Sequence, residues 1–361
     1  MRVGGVARRA IWPLAEGDAV EVIDQRFLPH RWQVARLDSV ARVREAIADM
    51  WVRGAPLIGV TAAYGLALQC RVDPHDAALI ECKALLDSAR PTAVNLAWAT
   101  RRLLQALLAR PPAERAAAAW VLAGQLADED VAVNAAIGRH GLGLLQAIAA
   151  RHPGRPVNVL THCNAGWLAT VDWGTALAPV YQAQAAGLPV HVWVDETRPR
   201  NQGASLTAWE LREAGVAHTV IADNLGGHLM QHGQVDIVIV GADRVTRRGD
   251  VCNKIGTYLK ALAAVDNGVP FHVAMPVSTL DRSLADGVAE IPIEARSPRE
   301  LTHISGLAAD GALVEVQLTP EGSPALNLGF DVTPARLVTG LITEHGCVPA
   351  TEAGLATLPA A

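Results

Sequence analysis

A change of rhythm at Arg151-His152-Pro153-Gly154-Arg155-Pro156 constrains this chain more than any other feature, because that stretch is polar and crowded with helix breakers. Beyond it, short apolar runs recur at Val157 to Leu160, Val190 to Val194, Thr219 to Ala222, Ile237 to Val240 and Phe271 to Met275. Most are separated by stretches long enough for a helix. Runs that are apolar throughout, rather than alternating, signal strands buried on both faces; helices between them signal a parallel sheet covered on each side. Residues 151–361 are therefore read as a doubly wound α/β domain.

Residues 1–150 read differently. After a small irregular start with some β character, Val40, Val43, Ile47 and Met50 fall on one helical stripe. Arg53-Gly54-Ala55-Pro56 stops it. Asp73-Pro74 has the look of a cap followed by a first-turn proline, with Leu79, Cys82 and Leu86 continuing the stripe behind it. Further helical patterns cover Val94 to Ala109, Ala113 to Leu126 and Asp128 to Ile148. This part is expected to form a mainly helical domain, with the boundary at 150/151 and a tail from Pro349 that frays.

Composition narrows the function classes. At 361 residues with 50% apolar content, the chain can build two real cores. Its five cysteines are odd in number and scattered without a Cys-x-x-Cys pair, which argues against a disulfide framework or a structural zinc and for a reducing, cytoplasmic setting. The first 29 residues lack the apolar run of an export signal. Ala116 to Ala127, read as the longest nearly uncharged helical stretch, falls short of the roughly 20 residues that cross a bilayer. With a net charge of -5 and no long basic run, neither a membrane nor a nucleic acid is the expected partner.

In an open parallel sheet, ligands bind beyond the carboxyl ends of the strands. Those ends carry Thr161-His162-Cys163-Asn164-Ala165-Gly166, Asp195-Glu196-Thr197-Arg198-Pro199, Asp223-Asn224, Gly241-Ala242-Asp243-Arg244 and Pro276-Val277-Ser278-Thr279. A lone cysteine is more often a small buried hydrophobe than a catalyst, and a loop aspartate caps a helix as often as it reacts. His162 is read as structural, because neighbours on an extended chain point to opposite faces and cannot readily share a proton. The spacing of the other histidines suggests no metal site. Neither a P-loop nor a Gly-x-Gly-x-x-Gly follows a strand, so no nucleotide cofactor is expected. Arg53-Gly54-Ala55 and Asn253-Lys254-Ile255-Gly256 each place a cation and glycine ahead of a helix, where free backbone N–H groups attract an anion.

Taken together, Arg53-Gly-Ala-Pro, Arg90-Pro-Thr-Ala-Val-Asn95, Thr161-His-Cys-Asn-Ala-Gly166, Asp195-Glu-Thr-Arg-Pro199, Gln202-Gly203, Gly241-Ala-Asp-Arg244 and Asn253-Lys-Ile-Gly-Thr257 stand in the order of the S-methyl-5-thioribose-1-phosphate isomerase family. The resemblance extends to Ile23-Asp24-Gln25 with Leu28-Pro29, Ile291-Pro-Ile-Glu294 and Phe330-Asp-Val-Thr-Pro334. It implies a helical amino-terminal domain, a Rossmann-like carboxyl-terminal domain, a homodimer, and an aldose–ketose isomerase of methionine salvage that needs no cofactor or metal. It also implies that Cys163 and Asp243 are catalytic, and that Arg53, Gly54, Ala55, Arg90, Gln202, Asn253 and Lys254 hold the phosphate. Two alternatives share the resemblance: a ribose-1,5-bisphosphate isomerase, and a non-catalytic subunit like those of the initiation factor. The chain departs from the expected pattern at Ser205, Arg248 and Trp167, positions that bear on fine specificity.

Overall fold

A computed structural model describes residues 1–90 and 92–360, so Pro91 of the Arg90–Asn95 motif and Ala361 at the tail lie outside the described residues. After a short hairpin, strands β1 (Ile11–Pro13), β2 (Val20–Ile23) and β3 (Val34–Leu37) form a small antiparallel sheet. Helices α1 (Val40–Ala48), α2 (Ala55–Val72), α3 (Asp76–Asp87), α4 (Val94–Leu108) and α5 (Pro112–Arg151) follow. The stripe predicted from Val40 onward forms α1, capped by the Ser39 side chain, which accepts from the Arg42 N–H.

Three helical expectations need correction. α3 begins two residues later than the Asp73-Pro74 pair suggests, because the Asp73 carboxylate already accepts the His75 N–H at 3.0 Å and closes a turn of its own. The two helices expected between Ala113 and Ile148 are one 40-residue helix, since nothing around Ala127 breaks the pattern. The longest apolar helix is α2, not the stretch from Ala116: its 18 residues are apolar enough to cross a membrane, but 78% of them are buried inside the protein, which makes it a core helix.

Past Arg151 the chain builds β4 (Val157–Thr161), α6 (Ala178–Ala185), β5 (Val190–Asp195), α7 (Ala208–Glu213), β6 (Ala217–Ile221), α8 (Leu225–Gln231) and β7 (Ile237–Val240). Then come β8 (Arg244–Thr246), β9 (Val251–Lys254), α9 (Thr257–Asp266), β10 (Phe271–Ala274) and β11 (Leu280–Asp281). The remaining strands are β12 (His303–Leu307), β13 (Leu313–Gln317), β14 (Phe330–Thr333), β15 (Gly340–Thr343) and β16 (Gly346–Val348). Seven strands form one sheet in the order β16-β15-β10-β7-β4-β5-β6, parallel except for the edge strand β16. All five apolar runs lie in it.

The sheet is covered on both faces, and alternate residues of a strand enter different cores. Ile237 and Ile239 of β7 join a large core shared with α2, α4 and α5, whereas Val238 and Val240 join a second one with Leu160, Val273 and Leu341. A smaller four-stranded sheet, β11-β8-β9-β14, sits beside the ends of the large one. The tail does not fray as expected. Leu355 and Leu358 are buried in the second core, and the Arg282 guanidinium donates to the Leu358 carbonyl at 2.8 Å.

Candidate active site at the strand switch point

The strand order reverses between β4 and β7. From β4 the chain winds outward through β5 and β6; from β7 it winds the other way through β10 and β15. Connections leaving these adjacent strands diverge, which opens a crevice beyond their carboxyl ends. Cys163 lies just past β4 and Asp243 just past β7, so residues far apart in sequence reach the two sides of one crevice. The Thr161 hydroxyl donates to the Ile239 carbonyl at 2.8 Å, stapling the two strand ends.

All nine residues singled out from the sequence, Arg53, Gly54, Ala55, Arg90, Cys163, Gln202, Asp243, Asn253 and Lys254, line the cavity at this point. Helical segments supply the first wall. Gly54 precedes α2 with φ 96°, and a Cβ there would come within 2.4 Å of the Ala169 carbonyl oxygen, so only glycine fits. The first turn of α2, starting at Ala55 with Pro56 behind it, points its free N–H groups at the cavity end of the helix.

Cys163 occupies the left-handed backbone region at φ 68°, unusual for a residue with a Cβ. Its N–H donates to the Thr197 hydroxyl at 2.8 Å, and its carbonyl accepts the Thr207 hydroxyl at 2.7 Å. The thiol donates to the Gln202 amide oxygen at 3.3 Å. The Gln202 amide nitrogen lies 3.8 Å from the Met50 sulfur. Met50, Thr197 and Asn201 near the cavity also have positive φ, so an unusual share of the chain's backbone strain is held around it.

His162 turns away from the thiol: one ring nitrogen meets Asp195 at 2.8 Å and the other the Ile255 carbonyl at 2.8 Å. His162, Asp195 and Asp223 are close enough together to suggest a cation site. The Lys260 ammonium already sits 3.1 Å from Asp195, and Asp223 accepts the Thr197 and Arg198 N–H groups, each at 2.7 Å. Apart from one Asp195 oxygen that is buried without a partner among the described residues, these groups are engaged within the protein, and the cluster ties three strand ends together.

Electrostatics set the cavity apart. The two terminal nitrogens of Arg53 each donate to Asn164, one to its side-chain oxygen and one, at 2.7 Å, to its carbonyl, so these partners are neutral. Lys254 stands over the Phe330 ring, 4.5 Å from its centroid, brought there by the β9–β14 pairing of Lys254 with Phe330. Among the described residues neither cation has an ion-pair partner, whereas Arg90 meets Glu294 at 3.3 Å. Burial pushes the Lys254 ammonium below its ordinary value, while Cys163 and Asp243 pull it up. Burial raises the Asp243 carboxyl, opposed by the positive charges of Lys254, Arg90 and Arg53. The Asp243 N–H donates to the Cys252 carbonyl at 2.9 Å, which anchors its backbone to β9.

Several contributors had no signal in the sequence. Glu210 is fully buried and accepts the Trp167 N–H at 2.8 Å, the Tyr181 hydroxyl at 2.6 Å and the Asn164 amide at 2.8 Å, thereby fixing the residue that holds Arg53. Glu294 and Phe330 stood inside quoted motifs but without a role. Asn95, at the end of its motif, bonds Ser278 at 2.8 Å and ties α4 to the loop after β10. Trp167 packs against Trp209 in the core and is absent from the cavity lining; Arg248 is exposed near Glu352. Neither departure lines the cavity. Ser205 bonds the Asn201 carbonyl at 2.7 Å and lines the groove outside it.

Residues 51–350 match the initiation factor 2 subunit family. Methylthioribose-1-phosphate isomerases are similar along almost the whole chain: that of Methylocella silvestris is 63% identical, covering 99% of this chain and 98% of its own, and that of Rhodospirillum rubrum is 62% identical, covering 99% and 93%. The chain belongs to the methylthioribose-1-phosphate isomerase family. The fold agrees. The crystal structure of 5-methylthioribose 1-phosphate isomerase from Pyrococcus horikoshii OT3 superposes with a TM-score of 0.81 at 38% identity, covering 97% of this chain and 95% of that one. The delta subunit of translation initiation factor eIF-2B from A. fulgidus gives 0.78 at 37% identity, covering 98% and 100%.

Proposed function

We infer that this member of the isomerase family converts 5-methylthioribose 1-phosphate into 5-methylthioribulose 1-phosphate, a step of methionine salvage, in the cavity at the strand switch point. The site reading is carried by Arg53 and Lys254, which have no ion-pair partner among the described residues, on the wall that also holds a raised carboxyl and a thiol. A phosphate dianion suits the cations together with the N-terminus of α2. Gly54, Ala55, Arg90, Gln202 and Asn253 complete the proposed set of phosphate ligands.

The anomeric oxygen of this substrate carries phosphate, so the ring must open by protonation of the ring oxygen. Asp243, kept protonated by burial, gives that proton as the C1–O4 bond breaks. In the first route Cys163, as thiolate, takes the proton from C2 and a C1=C2 enol forms. The C2 hydroxyl then returns a proton to Asp243, and Cys163 delivers its proton to C1, leaving the ketone. The thiol's hydrogen bond to Gln202 favours a second route, in which the C2 hydrogen passes to C1 as hydride while Asp243 takes the hydroxyl proton. In D2O the enol route puts deuterium on C1 and the hydride route does not.

Turnover of purified protein with 5-methylthioribose 1-phosphate, followed by proton NMR beside ribose 1,5-bisphosphate, tests the substrate. Faster conversion of the bisphosphate would overturn the reading. The proposed assembly is a homodimer, checked by light scattering. The proposed compartment is the cytoplasm, in keeping with free thiols at all five cysteines.

A further inference from the structure

The cation cavity is the narrower of two connected spaces. It offers about 40 Å³ that water can occupy, room for a few waters, whereas the groove just outside offers about 810 Å³. Met50, Arg53 and Gln202 line both, so the cavity opens to the groove across their side chains. With phosphate and C1 inside, the rest of the sugar and its thioether tail lie in the groove.

That groove is lined by the amino-terminal motif that no proposed catalytic step uses. Phe27, Leu28, Met50 and Leu206 give it apolar surface. Gln25 lines it with a side chain only 4% exposed. Its amide nitrogen donates to the Leu168 carbonyl at 2.7 Å, which fixes the orientation of the amide, and its backbone N–H donates to the Trp51 carbonyl at 2.9 Å. Among the described residues its amide oxygen is buried without a partner. A buried acceptor left unpaired is costly, and such a cost is tolerated where a ligand supplies the missing donor.

We propose that the groove is the subsite for the non-phosphate end of the substrate, and that the free Gln25 amide oxygen accepts a hydrogen bond from its C3 hydroxyl. The C2 hydroxyl is consumed in the chemistry, and in the closed ring the C4 oxygen carries no proton, which leaves the C3 hydroxyl as the donor. The methylthio group then rests on the apolar wall that includes Met50, whose sulfur neighbours the same Gln202 amide that receives the Cys163 thiol. This subsite rests on the isomerase reading above.

The test compares Gln25→Met with Gln25→Glu on 5-methylthioribose 1-phosphate. Both lose the donor to Leu168, but only the glutamate keeps an acceptor. Gln25→Met should raise KM about tenfold with kcat little changed, and Gln25→Glu should stay within about threefold of wild type. Equal effects from both, or none from either, would overturn the proposal. The 3-deoxy substrate supplies a measurement that needs no variant: wild type should lose about tenfold in kcat/KM on it. Undiminished turnover of the 3-deoxy compound would overturn the subsite. Wild-type protein inert toward 5-methylthioribose 1-phosphate itself would instead sink the isomerase reading.

Discussion

Cys163 sits in a backbone conformation that most residues avoid, held there by the Thr197 and Thr207 hydroxyls, in a cavity that Asp243 also lines. Cys163→Ser and Asp243→Asn should each lower kcat by about 10²–10⁴ while KM stays within a few-fold, since neither removes a cation. Steady-state kinetics on the two proteins decide it, and ordinary turnover in either removes that residue from the chemistry. As the proposed acid, Asp243 should also set a pH dependence. A raised carboxyl pKa means the acid form survives to higher pH than for an ordinary aspartate, so kcat should fall as pH rises through that value and the proton is lost. A pH profile flat on its alkaline side would remove Asp243 as the acid. The strand-end placement of Cys163 and Asp243 was legible in the sequence because both follow apolar runs, and the sheet topology brings them to one cavity; their proposed catalytic role came from the motif resemblance and not from position. Glu210 and Asn164 were not legible, because their partners lie dozens of residues away and nothing local to either records the match.

Among the elements, the long, strongly patterned ones could be read and the short antiparallel ones could not. Five of the seven strands of the large sheet were marked by apolar runs, whereas β8, β9 and β14 span three or four residues each, and β9 finds β14 nearly eighty positions later. Yet that small sheet holds both the Asp243 backbone and Lys254. The start of α2 is the other decisive element. Gly54→Ala would push a methyl into the Ala169 backbone at an unfavourable φ, at a cost of about 2–3 kcal/mol. Denaturant unfolding should show that loss, and the displaced helix end should raise KM for the phosphorylated substrate. A variant as stable as wild type would show that the Gly54–Ala169 contact can relax.

At the scale of the whole molecule, the division proposed at 150/151 separates a helical part from the large sheet, but one core runs through both. Ile58, Leu96 and Leu145 share it with Val159, Val192, Ile239 and Ile342. We therefore expect a single unfolding transition, seen together by circular dichroism, which follows helix, and by fluorescence of tryptophans on both sides of the division. Two separated midpoints would mean that the parts fold independently. The sequence showed the change of rhythm; it could not show that the faces on either side bury each other, because a helix stripe records that it is covered and not by what.

The cavity draws Arg53 and Arg90 from the first half of the chain, Cys163 and Asp243 from the middle, and Lys254 with its Phe330 platform from near the end. During synthesis, then, no partial version of this chemistry can exist. On the proposed site we expect a ribosome-bound chain to turn over no sugar phosphate until Phe330 has emerged and β14 has closed onto β9, so that the onset of turnover times the completion of folding.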